Sequence, residues 1–258
     1  MFEGKASPLS DAGVIAATDQ LGVKAPALWA VLTVETSGCG FLPDRRPKIL
    51  FERHWFSKLT NGQYDNQDAD ISNPTQGGYG TGGVYQYDRL AKAISLDRTA
   101  ALKSTSWGLG QVMGFNAVKV GFASVNALVS ASQESEDKQL GAMVAFIAQA
   151  NIAQHLKSGN WAAFAYSYNG TNFQKNKYDE KLALAHKRYI EGPMPNLTVR
   201  LVQLALMVLG YGGPGFVDGW FGPGTQKALV KYQVASGLPA TGAADAATVA
   251  RLRGDLGW

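Results

Sequence analysis

Leu9 followed by Ser10 opens the first helical pattern of the chain, and apolar positions continue through Val14, Ile15 and Leu21 until Gly22. A serine N-cap behind a staple residue and a left-handed glycine after the last turn predict one helix between them. A second begins at Pro26, whose ring presets the first turn. In it Leu28, Val31, Leu32 and Glu35 fall at i, i+3, i+4 and i+7, one helix face, and Gly38 ends it. Residues 41–60 start as a proline-containing loop, with KILF as a short strand. Residues 61–86 are a long polar stretch, of the kind that is functional or mobile. Helical patterning returns at Leu90, Ala93 and Ile94, followed by the glycine-rich turn SWGLGQVMG at 106–114. Ser135 caps a long helix carrying Leu140, Val144, Ile147 and Ile152. Asn160 caps the next, which runs into FAYSYNG, and a further helix covers about 178–190. EGPMPN at 191–196 reads as a linker. Beyond it Leu201, Leu204 and Val208 line one helix ended by Gly210, Asp218-Gly219 makes a tight turn, and Pro223 opens a helix that buries Ala228, Leu229 and Tyr232. Strand signals are sparse, so the expected fold class is mainly α.

Composition narrows the function classes. With 46% apolar and 17% charged residues in 258, the chain supports a normal core and is neither disordered nor a coiled coil. No apolar run approaches the ~20 residues of a membrane helix, so no stable membrane insertion is expected. The net charge of +4 is spread without a Lys/Arg run, which gives no support for nucleic acid as a partner. Cys39 is the single cysteine, so no intrachain disulfide forms and synthesis in a reducing compartment fits. MFEGKASPLSDAG lacks the basic-then-apolar order of a signal peptide. His54, His155 and His186 form no metal-ligand spacing, so neither a metal nor another cofactor is expected, and Cys39 with a histidine makes a poor case for a cysteine peptidase.

The candidate chemistry begins with Glu35. On the buried face of its helix a carboxyl is partly desolvated and holds a proton near neutrality, as a general acid for glycoside cleavage must. The structural alternative is pairing with Arg45, Arg46 or Arg53. The glycines of ETSGCGF let a bulky polymer approach the backbone. Trp107 and Gln111 in SWGLGQVM offer a ring and an amide for sugar contact, and AYSYNG adds Tyr166, Tyr168 and Asn169.

In this order, ETSGCGF, SWGLGQVMG and AYSYNG resemble the E-S-G, G-L-M-Q and A-Y-N-x-G series of the lysozyme-like superfamily, which includes goose-type lysozymes and lytic transglycosylases. VETSGCGFLPDRRPKILFERHWFSKLT, ISNPTQGGYG and SWGLGQVMGFNA are more closely similar to the N-acetylmuramidase family found in endolysins of phages infecting Gram-negative bacteria, over about residues 9–190. The resemblance implies a lysozyme-like domain, helical with a small β and loop region. It also implies cleavage of the β-1,4 bond between N-acetylmuramic acid and N-acetylglucosamine. Glu35 is carried over as the general acid and Glu52, in ILFERH, as the second carboxylate. The alternative for Glu52 is a salt bridge to a nearby arginine. Asp44, Asp68 and Asp70 are rival carboxylates on loops. Retention at a carboxyl separation of ~5 Å and inversion at ~6.5–9.5 Å both stay open. Arg45 stands where the family's P-D-G-R-P turn has glycine, which puts that turn's backbone geometry in question.

Residues 199–252 resemble the small three-helix peptidoglycan-binding module, through LVQLALMVLGY, VDGWFGPGTQKAL, KYQ and GLPATG. The resulting expectation is a catalytic domain at 1–192 and a wall-binding domain at 197–258, with Tyr211 and Trp220 as candidate wall contacts. The 1–196 fragment is expected to fold and cleave alone, the module acting only by raising local substrate concentration. The partner is peptidoglycan and the chain a monomer. It is expected to be made in the host cytoplasm and to act in the periplasm after holin-mediated release, with a bacterial secretion-system effector as the other setting. Two rival functions stand beside the muramidase. One is a lytic transglycosylase, with Glu35 alone leaving 1,6-anhydro ends. The other is a non-enzymatic wall or tail protein.

Overall fold

The computed structural model describes residues 1–36, 38–149, 152–171, 173–212 and 217–258, with only the backbone of Asn169. The chain opens with α1 (Asp11–Leu21) and α2 (Ala25–Glu35), then β1 (Ile49–Phe51) and α3 (Arg53–Leu59). After the long polar loop come α4 (Tyr85–Leu96), α5 (Arg98–Lys103), β2 (Thr105–Trp107) and β3 (Val112–Met113). The helices of the first part of the chain continue as α6 (Val125–Glu134), α7 (Glu136–Gln149), α8 (Ala153–Ser158), α9 (Trp161–Asn169) and α10 (Tyr178–Glu191). The last three are α11 (Leu197–Val208), α12 (Pro223–Ala235) and α13 (Ala246–Leu256). The described residues are thus mainly α-helical, and no helix among them is long and apolar enough to cross a membrane.

Local chemistry accounts for the element ends. Ser10 accepts from the Gly13 amide at 3.0 Å, and Gly22 closes α1 at φ 63°. Asn160 caps α9 by accepting from Ala163 N, and Asp97 caps α5 through Ala100 N. α2 is buried on almost every side, Ala27 to Leu32 in succession. It lies against α10, while α1 packs on α7. KILF does form the first strand of a small antiparallel sheet ordered β1-β2-β3, with Ile49 opposite Trp107 and Phe51 opposite Thr105. SWGLGQVMG is therefore a hairpin rather than a free turn. Its reversal uses left-handed backbone at Gly108 and at Gln111 (φ 47°).

Two sequence expectations change here. Trp107 does not face a ligand. It is 2% exposed, its Nε1 donates to Leu102 O, and its ring packs on Phe2. As the third residue of β2 it points to the core side of the pleat, where an indole finds both apolar neighbours and a backbone acceptor. The segment 191–196 is an ordered joint and not a loose tether: α10 extends to Glu191, Asn196 caps α11 through Val199 N, and the Asn196 amide donates to Gly219 O.

Candidate active site

Glu35 ends α2, and Glu52 follows β1 at the N-cap position of α3. Glu52 makes no side-chain cap, so its carboxylate is free to turn inward. Both line one open cavity of about 530 Å³ together with Tyr79, Gln111, Asn116, Tyr168 and Tyr178. The β1–β2–β3 sheet supplies one wall, through Leu50, Ser106 and Val112, while Phe146 and Tyr168 stand on the helical side. A second space of about 390 Å³ starts at Glu35 and runs past Thr36, Lys48 and Leu109, so Glu35 is shared by two stretches of cleft.

The two carboxyls have different surroundings. Burial lifts the Glu52 carboxyl above the ordinary glutamate range, and the nearby Tyr79 hydroxyl works against that rise. His54 Nδ1 lies 3.2 Å from Glu52 Oε2, but outside hydrogen-bonding geometry, and neither atom has a hydrogen-bond partner. Burial, then Lys58 and Arg53, pushes the imidazole down, so this contact is not an ion pair near neutrality. On the other side, burial and then the Glu35 charge raise the phenols of Tyr168 and Tyr178, which places both rings around Glu35 as neutral groups. Tyr168 donates to Gly110 O at 2.9 Å and stacks on Phe164, tying α9 to the hairpin.

Gln111 lines the cavity, but its amide is engaged within the fold. Nε2 donates to Gly108 O at 2.7 Å, and Oε1 accepts from Ser106 Oγ at 2.8 Å. Tyr166 is 55% exposed, set edge-on against Phe173 and away from the cavity lining. The Asn169 side chain lies outside the described residues. Asp44 pairs with Arg46 at 2.6 Å, and neither it nor Asp68 nor Asp70 lines the cavity. The glycines after Glu35 serve packing rather than an open approach to a polymer. A Cβ on Gly40 would strike Gln139 Oε1, and one on Gly38 (φ 87°) would meet Val217 O at 2.9 Å. Cys39 is buried with its thiol pushed up by burial, and Sγ contacts Phe41 O. Among the described residues no group of three His, Cys, Asp or Glu could hold a metal.

Tyr79, Asn116 and Tyr178 are the cavity residues that sequence reading passes over. Tyr79 had a signal, a lone ring inside the run GGYGTGG. Its placement is built by the buried Gln86, whose Nε2 donates to Tyr79 O at 2.7 Å and Thr81 O at 2.8 Å while Oε1 accepts from Phe51 N. Arg89 adds a 2.8 Å bond to Tyr79 O and also reaches Asp70 O. The long polar loop is thereby tied to β1 and α4. Tyr79→Phe is expected to fold normally and to lose about tenfold in turnover, from loss of the hydroxyl beside Glu52. Because that hydroxyl lowers the Glu52 titration, the ascending limb of the pH–rate profile should move to higher pH.

Tyr211 and Trp220 are both half-buried. Tyr211 sits edge-on to Tyr232 in the core of the last three helices. Trp220 packs against the core of the first domain, with the Arg188 guanidinium 4.8 Å from its ring.

Residues 24–190 match the family model described as N-acetylmuramidase, and residues 196–252 match a putative peptidoglycan binding domain. No curated protein matches the chain. Among solved structures, the crystal structure of Burkholderia AP3 phage endolysin superposes with a TM-score of 0.66 and 41% identity, covering 71% of each chain. The first match takes in both carboxylates and every residue around the cavity between them, and the chain belongs to the N-acetylmuramidase family.

Proposed function

We propose that Glu35 protonates the leaving oxygen of the β-1,4 bond between N-acetylmuramic acid and N-acetylglucosamine, and that Glu52 acts as the second carboxylate. The observation carrying this reading is that the two carboxyls open into a single cavity, one at the junction of two cleft segments. Glu35, beside neutral Tyr168 and Tyr178, sits where it can give a proton to a developing alkoxide. Glu52, beside the Tyr79 hydroxyl, stabilises the oxocarbenium-like charge or activates water. The second domain holds the enzyme on the wall, and the whole works as a phage endolysin and as a monomer. It reaches the periplasmic wall through a holin lesion. Lysis on induction should then require a co-expressed holin.

Mass spectrometry of a peptidoglycan digest tests the reaction. Reducible muramic acid ends are expected, and 1,6-anhydro ends would identify a transglycosylase. The raised Glu52 titration favours a second reading in which the two roles are exchanged. An aryl glycoside, whose leaving group departs without protonation, separates the two. The variant lacking the acid keeps activity on it, while the variant lacking the other carboxylate does not.

Glu52→Gln is expected to lower turnover while leaving wall binding intact, and to stabilise the fold near neutrality. A carboxyl raised on folding makes the native state bind more protons, so its charge destabilises the fold increasingly as pH rises from about 4.3 through the native value. The gain in melting temperature of Glu52→Gln over wild type should therefore appear at pH 7 and vanish at pH 4. Lower stability with full activity per folded molecule would instead make Glu52 structural.

A further inference from the structure

Glu136, at the start of α7, is 0% exposed and is met from three directions. The Leu9 amide donates to Oε2 at 3.0 Å, the Gly40 amide donates to Oε1 at 2.8 Å, and Arg200 Nη2 lies 3.2 Å from both oxygens. Arg200 belongs to α11 of the second domain and is 5% exposed. Its other terminal nitrogen donates to Gly38 O at 2.8 Å, and the guanidinium lies 5.8 Å from the ring of Trp29 on α2. The backbone held this way, 38–40, is the turn that leaves the Glu35 end of α2. Apolar packing follows the same boundary, with Ala6, Cys39 and Phe41 of the first domain in one cluster with Leu204, Met207 and Val217 of the second.

Arg45 supports the same reading independently. It holds a left-handed backbone (φ 65°), the conformation glycine adopts most cheaply, at a cost of about 1–2 kcal/mol for any other residue. Its Nη2 donates to Leu256 O at 2.6 Å, in the last helix of the second domain, and Trp258 Nε1 donates back to Lys5 O at 2.9 Å. The strained position is thus used for an interdomain contact that glycine could not make.

We infer that Arg200 is a positioning residue for catalysis, through which the wall-binding domain holds the turn behind Glu35. The inference rests on Glu35 acting in the cleft as described above. The second domain then contributes to the chemistry itself, and not only to local concentration. A lysine cannot replace this arginine, because one ammonium does not reach Gly38 O and both Glu136 oxygens in the planar fork geometry.

The test uses full-length protein and a soluble peptidoglycan tetrasaccharide, assayed alongside intact sacculi. Arg200→Lys is expected to bind sacculi as wild type and keep KM, while kcat per folded molecule falls about ten- to a hundredfold, the scale of a small misplacement of a catalytic group. The pH–rate profile should shift too, which loss of folded protein alone would not produce. Arg200→Met combined with Glu136→Gln removes the buried charge along with its partner, so the fold is retained if the lysine variant is unstable. It should show the same kcat defect. Wild-type kcat and an unchanged profile in either folded variant overturn the inference. Glu35→Gln run beside them keeps the two readings apart: if that variant stays active, the assignment of Glu35 has failed and not this coupling alone.

Discussion

Glu35→Gln should melt at the wild-type temperature and lose lytic activity by orders of magnitude. The amide keeps the shape of the carboxyl at the end of α2, a helix whose burial comes from Ala27 to Leu32 rather than from Glu35. What it removes is the transferable proton, and general acid catalysis is worth roughly 10²–10⁴-fold. Binding to sacculi should be unchanged, because the putative peptidoglycan binding domain is separate in sequence. Activity above about a tenth of wild type, with an unchanged melting curve, rules out Glu35 as the acid.

Truncation after residue 196 should cost the first domain its stability as well as its wall affinity. It strips Arg200 from Glu136, a carboxylate 0% exposed in the full chain, and returns it to water without its ion pair. It also uncovers Phe41 and Cys39, which share a core with Leu204, Met207 and Val217, and returning a Phe-sized side chain to water costs about 1.5–3 kcal/mol. Against a total stability of about 5–15 kcal/mol this is a large fraction. For a chain of this size it corresponds to a fall of about 3–12 °C in melting temperature. The 1–196 fragment is therefore expected to melt below the full chain, and its activity per molecule to stay low at every enzyme concentration. A domain acting only as a tether would give a defect that fades as concentration rises. Scanning calorimetry of the fragment decides between them. A fragment melting within a few degrees of the full chain, with full turnover on soluble glycan, restores the tether.

Much of the fold was legible because it depends on neighbours in the chain. Ser10 and Gly22 bracket α1, Asn160 caps α9, Pro26 opens α2, and KILF forms β1 where the apolar run lies. Each follows from bonds spanning three or four residues or from a single backbone preference. Helix periodicity put Glu35 on the face of Leu28, Val31 and Leu32, and in the fold it is half-buried and lines the cleft. The order of the three glycine- and aromatic-rich segments carried the family. Glu52 was nameable by resemblance, but nothing local brings it to Glu35.

Tertiary structure decided the rest, where partners are far apart in sequence and residue type does not say which partner is met. Trp107 and Tyr168 are both aromatic residues in marked segments. One faces Phe2 in the core and the other lines the cleft, according to which side of β2 or α9 is covered. Tyr79 reaches Glu52 only because Gln86 and Arg89 hold the carbonyls of the loop. Gly38 and Gly40 look like room left for a polymer, yet they are small because Val217 and Gln139 press on them. Arg200 looks like an ordinary charge on an amphipathic helix until Glu136, 64 positions away, is found beneath it. The sequence by itself therefore determined the helices, their caps and the place of Glu35 at the end of its helix, through short-range bonding and periodicity. The second carboxyl's company and the joining of the two domains were set by long-range packing, because a buried charge or ring is stable only beside whichever group the assembled fold delivers to it.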